Sequence, residues 1–234
     1  MEEQIKFSSG NIRLAGSLQI PDSNEVNACV LLIAGSGQVD RNENHKKLHV
    51  DALRQIAIYL AKHKIASLRY DKRGVGESDG DYWETGFFDN ISDAENALKY
   101  LELDTRLVNK PHFVLGHSEG ALIAANLAAA YSDLSGAVLI AGAAQDGRKV
   151  IEWQAKEVAK GLTGLNGFLV KLLRIDVVKA QKKVLDKIEK STSNWFRQGL
   201  VKKINAKWMR EFLAYDPSKD LAKIRVPILA ITGS

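Results

Sequence analysis

Residues 112–130 read HFVLGHSEGALIAANLAAA. A short apolar run from His112 to Gly116 passes directly into an alanine-rich stretch of helical length. The residues at the junction, Gly-His-Ser-Glu-Gly, fit the pattern G-x-S-x-G, which at a strand-to-helix turn exposes a serine hydroxyl at the end of a sheet. We therefore predict that Ser118 is a nucleophile, with an ordinary turn serine as the alternative.

The glycines on either side of this serine have a steric role in the prediction. Gly116 and Gly120 allow the strand and the helix to approach each other closely, while Ser118 itself is expected in a strained backbone conformation. The N-terminal amides and dipole of the following helix then face the hydroxyl. The turn is therefore suited to a reaction that develops negative charge beside the serine.

Short apolar runs of the same kind recur on both sides of this stretch. They occupy residues 28–35, 66–70, 112–116, 136–142 and 226–233. Such runs are typical of strands buried on both faces of a parallel sheet. Helical patterns separate them at residues 48–63, 89–103 and 119–131, and two earlier runs at 4–7 and 12–20 predict an antiparallel hairpin. The sequence predicts an α/β fold with a mostly parallel sheet and an N-terminal antiparallel hairpin.

One interval breaks the alternation of strands and helices. Residues 147–213 contain no proline, are rich in lysine and leucine, and have helical periodicity at residues 169–190. We predict a helical lid inserted at 147–213 into a core formed by residues 1–146 and 214–234, lying over the strand ends where ligands bind. Between Asp146 and Glu211 there are 16 basic residues against 7 acidic ones. A solvated helical face explains this charge better than nucleic-acid binding, for which no motif is present.

Composition excludes several classes of protein. The single cysteine, Cys29, lies in an apolar run, which excludes an internal disulfide and a multi-cysteine metal site and favours a core residue over a reactive thiol. The N-terminus is acidic and no apolar run approaches the ~18 residues that a membrane span needs. We expect a soluble, cytoplasmic protein without stable membrane insertion, and homo-oligomerisation stays open.

A glycine-rich loop follows the first strand of the parallel set. It reads AGSGQVDRN at residues 34–42, and such a turn can aim backbone N–H groups toward the nucleophile. An oxyanion hole needs one amide from this loop and one from the residue after the nucleophile. We predict that the amides of Ser36 and Glu119 are these donors. A phosphate-binding loop is the alternative, but neither of its glycine patterns is present.

Three motifs together resemble the α/β-hydrolase family, specifically its lidded serine esterase and serine aminopeptidase-like branch. They are GSGQVDRN, LRYDKRGVGES and GHSEGALIAA, and the segment from Trp208 to Ser234 is similar to that branch's return from lid to sheet. The resemblance covers nearly the whole chain from Ile12. It implies an eight-stranded, mostly parallel sheet and hydrolysis of an ester, thioester or amide through an acyl-enzyme, without cofactor or metal.

The resemblance also assigns roles to individual residues. It makes Ser118 the nucleophile. In the loop at residues 69–80, Asp71, Arg73, Gly74 and Gly76 are implied to shape the backbone rather than to do chemistry. A substrate-anchoring role for Arg73 is the alternative.

The histidine that should activate the serine is the missing part of this pattern. The family order is serine, then acid, then histidine, but all histidines of this chain precede Ser118: His45, His49, His63, His112 and His117. We therefore expect the catalytic acid and histidine, with the family's last strand and helix, to be missing from this chain, and its ester turnover to be residual. Asp146 is an alternative acid, but an acid without a base does not complete a triad.

The sequence thus predicts a serine hydrolase that cleaves carboxylic esters of small to medium acyl groups through an acyl-enzyme. Its partner is expected to be a small-molecule ester or thioester. An acyl-CoA thioesterase is one alternative, because a basic lid would attract a polyanionic substrate. A noncatalytic binding protein on the same fold is the other.

Overall fold

A computed structural model describes residues 1–22, 25–46, 48–161, 176–198 and 202–233. These residues form two compact units. The first unit contains Met1–Tyr82, Phe88–Ala144 and Pro217–Ser234, and the second contains Trp83–Phe87 and Gln145–Asp216.

The described residues form nine strands. They are β1 (Glu2–Ser9), β2 (Ile12–Gln19), β3 (Ala28–Ile33), β4 (Ile65–Tyr70), β5 (His112–His117), β6 (Gly136–Ile140), β7 (Trp195–Gln198), β8 (Lys202–Asn205) and β9 (Ile228–Ile231). Seven of them make one sheet in the order β1-β2-β4-β3-β5-β6-β9. The pairs β1/β2 and β2/β4 are antiparallel and the other pairs of this sheet are parallel. The predicted α/β class, mostly parallel sheet and N-terminal antiparallel hairpin are confirmed; the described sheet has seven strands, where the resemblance implies eight.

Seven helices are described. They are α1 (Ala52–Lys62), α2 (Phe87–Leu103), α3 (Glu119–Ala130), α4 (Gly147–Gly161), α5 (Val177–Lys190), α6 (Ala206–Ala214) and α7 (Ser218–Leu221). The predicted helix at 48–63 begins four residues late, because Asn44 holds the chain before it in another conformation. The Asn44 side-chain oxygen accepts the N–H groups of Val50 and Asp51, and Asp51 has a left-handed φ of 50°.

The core of the first unit lies around the central parallel strands. Leu31, Leu68 and Val114 on three neighbouring strands are completely buried. Helix α3 is buried on almost every side, and its alanines let it lie close against β5 and β6. Side chains buried on both faces of these strands explain why each reads as a continuous apolar run in the sequence.

The second unit combines helices α4, α5 and α6 with an antiparallel pair, β7 and β8. The sequence predicts only helices here, so the hairpin is a correction. Within this unit Trp208 stacks on Phe212 at 4.8 Å, whereas 61% of Trp153 is exposed. Residues 162–175 and 199–201 of the predicted lid lie outside the described residues, and the lid role of 147–213 stays a prediction. No helix in the described part of the chain is long and apolar enough to cross a membrane.

Candidate active site

Ser118 occupies the turn between β5 and α3. Its backbone has φ 54° and ψ −114°, and its N–H donates to the carbonyl of Ile140 at 2.8 Å. A positive φ in a residue other than glycine costs about 1–3 kcal/mol and persists only where the surrounding structure enforces it. The Ser118 hydroxyl makes no capping hydrogen bond to α3. The strained backbone therefore positions a serine hydroxyl that does not cap α3.

Gly116 and Gly120 stand where backbone segments cross at close range. A Cβ at Gly116 would collide with the carbonyl of Gly120, and a Cβ at Gly120 would collide with the carbonyl of Ile33. Any side chain at either position would push β5, α3 or β3 away from its neighbour. The two glycines thus permit the approach on which the turn at Ser118 depends.

The loop after β3 lies directly against this turn. A Cβ added to Gly35 would be 3.4 Å from the Cβ of Ser118 and 3.3 Å from Nδ1 of His117. Gly35 shares a peptide unit with Ser36, and Glu119 directly follows Ser118. The structure therefore brings together the two backbone segments that carry the amides predicted for an oxyanion hole.

Glu43 joins the loop to the turn. One carboxylate oxygen of Glu43, Oε1, accepts the Gly35 N–H at 2.6 Å and lies 2.7 Å from His117 Nδ1. Burial raises the pKa of Glu43, but the hydrogen bonds from His117 and Gly35 outweigh it and leave the pKa below its ordinary value. The hydrogen bond to Glu43 raises the pKa of His117. Sequence reasoning missed Glu43, whose only signal is a carboxylate directly after the glycine-rich loop.

A second buried group of charges lies beneath the same loop. The Lys72 ammonium donates to the carbonyl of Gly35 at 2.6 Å and lies 3.3 Å from a carboxylate oxygen of Glu119. The other Glu119 oxygen accepts from Asn90 Nδ2 at 2.8 Å. The sequence predicts a role only for the Glu119 amide, so this use of its side chain is an addition.

Asp71 and Arg73 are engaged in contacts that shape the loop after β4. The Asp71 carboxylate accepts from the backbone N–H and the guanidinium of Arg41 at 2.7 and 2.6 Å. A Cβ at Gly76 would collide with that carboxylate, and Gly74 has φ 66°.

Arg73 has its own carboxylate partners. It donates to Asp93 at 2.7–3.1 Å and lies 3.6 Å from Asp89. These contacts favour the shaping role over that of a substrate anchor.

The structure describes all five histidines of the chain. His63 Nδ1 lies 2.9 Å from the carbonyl of Tyr59, His45 forms a backbone bridge with Leu48, and His112 is buried in β5. No hydrogen bond among the described residues joins a histidine to Ser118. Asp146, the alternative acid, accepts from the Lys149 N–H at 3.0 Å at the start of α4. The described residues contain no group of three or more side chains suited to a metal ion.

Solved structures share this fold at low sequence identity. Est1E from Butyrivibrio proteoclasticus, solved with ferulic acid bound, matches with a TM-score of 0.64 and 17% identity over 97% of this chain and 77% of its own. The α/β-hydrolase GrgF from Penicillium sp. sh18 matches with a TM-score of 0.63 and 12% identity over 100% and 90%. An esterase from Pyrococcus furiosus matches with a TM-score of 0.58 and 20% identity over 99% and 81%. At such identities the likeness shows the fold alone.

The family follows from the sequence. No curated protein sequence matches the chain significantly. The family model described as serine aminopeptidase, S33, matches residues 46–234, which is most of the chain and includes the turn at Ser118. The chain therefore belongs to the S33 serine aminopeptidase family of α/β-hydrolases.

Proposed function

We propose that this protein is a serine hydrolase that cleaves carboxylic esters of small to medium acyl groups through an acyl-enzyme on Ser118. The proposal rests on the strained turn at Ser118. This turn lies against the loop at Gly35, and the Ser118 hydroxyl does not cap the following helix. Family membership supports hydrolysis as the reaction class.

In the proposed reaction the Ser118 Oγ attacks the acyl carbonyl and its proton passes to a water molecule, which is a weak base and keeps the turnover residual. The carbonyl oxygen becomes an oxyanion, which accepts hydrogen bonds from the amides of Ser36 and Glu119. The tetrahedral intermediate then expels the alcohol, leaving the acyl group on Ser118, and water releases the acid by the same steps. Loss of one oxyanion donor typically costs about 3 kcal/mol of barrier. No histidine follows Ser118 in the sequence, and we assign the base to none of its residues.

Ester substrates are favoured by the names of the structural neighbours. The Pyrococcus furiosus protein is named an esterase, and Est1E was solved with ferulic acid bound. The name of the family supports a second candidate, cleavage of an aminoacyl amide. Both reactions use the same nucleophile and oxyanion hole, so they differ in the leaving group.

The test compares leaving groups on the full chain. p-Nitrophenyl acetate, butyrate and octanoate are assayed beside aminoacyl p-nitroanilides and butyryl-CoA, with Ser118→Ala as the control. We expect residual turnover that is fastest for the esters and is abolished in Ser118→Ala. Faster anilide cleavage would favour an aminopeptidase, and faster CoA release a thioesterase. A folded protein that turns over none of them would be a noncatalytic binding protein.

A fluorophosphonate identifies the nucleophile directly. It phosphonylates an activated serine with loss of fluoride, and mass spectrometry locates the adduct. We expect the adduct on Ser118. Labelling that survives in Ser118→Ala would contradict the assignment.

A further inference from the structure

Lys72 is a buried lysine that the reaction described above does not use. It is only 5% exposed, and its Nζ donates to the carbonyl oxygen of Gly35 at 2.6 Å. Burying an ammonium group is costly unless it is paired and hydrogen-bonded. Its position beneath the oxyanion loop, rather than at the surface, therefore needs a physical reason.

Peptide geometry links this contact to the proposed oxyanion hole. The carbonyl of Gly35 and the N–H of Ser36 belong to one planar trans peptide unit, so they point in opposite directions. An ammonium that fixes the carbonyl therefore fixes the direction of the Ser36 N–H. A positive charge at the oxygen end also polarises the amide and makes its N–H a stronger donor. The preceding amide, the N–H of Gly35, is held separately by Glu43 at 2.6 Å.

The charge of Lys72 is balanced by the residue that carries the second proposed donor. Glu119 is 2% exposed, and its Oε2 lies 3.3 Å from Lys72 Nζ while Asn90 Nδ2 donates to its Oε1 at 2.8 Å. The side chain of Glu119 thus neutralises the ammonium that orients Ser36. The backbone N–H of the same residue is the other donor. One ion pair joins the two halves of the proposed oxyanion hole.

These groups come together because each lies the same number of residues after the end of its strand. Gly35, Lys72 and Glu119 are each the second residue after a strand, namely β3, β4 and β5. The sheet places these strands side by side in the order β4-β3-β5, all parallel. Equal offsets from adjacent parallel strands meet at the same edge of a sheet.

We propose that Lys72 is a positioning residue of the oxyanion hole: its ammonium holds the Gly35 carbonyl so that the Ser36 amide is aimed at the oxyanion, and Glu119 balances its charge. This inference rests on the proposed function, because it needs a reaction that forms an oxyanion beside Ser118. It assigns no contact with substrate to Lys72.

The test separates positioning from a merely structural role. Lys72→Met removes the donor and leaves Glu119 as a buried unpaired charge, so that variant alone can lose activity by unfolding. The double variant Lys72→Met/Glu119→Gln removes both charges and is expected to fold. The matched control, Arg73→Met/Asp93→Asn, neutralises a partly buried ion pair between the same loop and α2. That pair does not contact Gly35 in the structure.

Two measurements report on stabilisation of the oxyanion rather than on folding. A full donor is worth about 10²–10³ in kcat, so we expect a misdirected one to lower kcat for p-nitrophenyl butyrate about 10- to 100-fold, with little change in KM. The affinity for an alkyl trifluoromethyl ketone, whose adduct with a serine carries an oxyanion, should fall by a similar factor. The Arg73→Met/Asp93→Asn control should keep the kcat and the ketone affinity of the wild type.

The outcomes distinguish this inference from the proposed function. A folded Lys72→Met/Glu119→Gln variant with wild-type kcat and ketone affinity would overturn the role of Lys72, while leaving Ser118 as the nucleophile. A loss of kcat matched by the Arg73→Met/Asp93→Asn control would also overturn it, because the effect would then be structural. A wild-type chain whose ester turnover and ketone binding do not depend on Ser118 would remove the basis of both proposals.

Discussion

Oε1 of Glu43 lies 2.7 Å from Nδ1 of His117, the residue that precedes Ser118, although the two are 74 positions apart in the sequence. The same oxygen accepts the N–H of Gly35. A carboxylate is an acceptor only, so the Nδ1 of His117 carries a proton in this contact. The pair therefore couples the charge of His117 to the position of the oxyanion loop.

The stability of the folded chain should depend on pH through His117. The hydrogen bond to Glu43 raises the pKa of His117 above its ordinary value of 6.5. A raised pKa contributes stability that is fully present below the unfolded value and is lost as pH rises through the folded value. The melting-temperature difference between the wild type and His117→Asn should thus be largest near pH ~5.5 and shrink toward pH ~9.

Thermal melts of both proteins across this range measure that difference. Glu43 stays ionised throughout, because its pKa is below its ordinary value. Glu43→Gln is the control, since it removes the charge that raises the pKa of His117. A difference that is constant or grows with pH would contradict the assignment.

The glycines of the turn should be intolerant of a methyl group. Gly116→Ala and Gly120→Ala each place a Cβ onto a backbone carbonyl, and overpacking of this kind typically costs about 1–3 kcal/mol or more. We expect both variants to lose stability in urea unfolding and to lose ester turnover. Gly161→Ala in α4 is the matched control, because its Cβ would meet nothing within 4 Å. Equal stability of Gly116→Ala and Gly161→Ala would contradict the close backbone contact between Gly116 and Gly120.

Arg73 should prove to be a structural residue. Its partner Asp93 is buried, and burial raises the pKa of that carboxyl despite the hydrogen bonds from Arg73. Arg73→Met leaves this carboxylate unpaired, which typically costs about 3–5 kcal/mol for a buried pair. We expect a lower unfolding midpoint with an unchanged KM for p-nitrophenyl butyrate, and partial recovery of stability in Arg73→Met/Asp93→Asn. A raised KM with wild-type stability would instead support a substrate anchor.

Cys29 should be unreactive in the folded protein. It is completely buried in β3, and burial raises the pKa of its thiol to about 11. The thiolate is the reactive form, so a buried thiol with a raised pKa resists alkylation. We expect no iodoacetamide adduct in the native state and a single adduct in denaturant. Rapid native labelling would place Cys29 at an accessible position.

The features that the sequence predicts well are those encoded by neighbouring residues. The apolar runs, the alanine-rich helix and the glycines around Ser118 each reflect local packing, and they predict the α/β fold and the turn. The late start of α1 was not predictable, because Asn44 holds residues 50 and 51 through side-chain hydrogen bonds. The hairpin of β7 and β8 was missed because strands of four residues are too short to show a clear alternating pattern.

The contacts around the site were less predictable than the turn itself. Glu43 with His117, and Lys72 with Gly35, join residues far apart in the sequence, and such pairs depend on which strands become neighbours. The motifs indicate that the loops exist but not the order β4-β3-β5. Once that order is known, the equal offsets of Gly35, Lys72 and Glu119 from their strands place them together.

Because Gly35, Lys72 and Glu119 share one offset from the ends of β3, β4 and β5, their contacts form only when these strands pair in the native register. A slip of one residue in a strand turns every side chain to the opposite face, so a slip in β3, β4 or β5 would separate Lys72 from the Gly35 carbonyl or from Glu119. Molecules that refold with a slipped strand would keep their helical circular dichroism but would not assemble the site. The fraction of refolded protein that reacts at Ser118 would then measure the proportion of chains in which β3, β4 and β5 have paired in the native register.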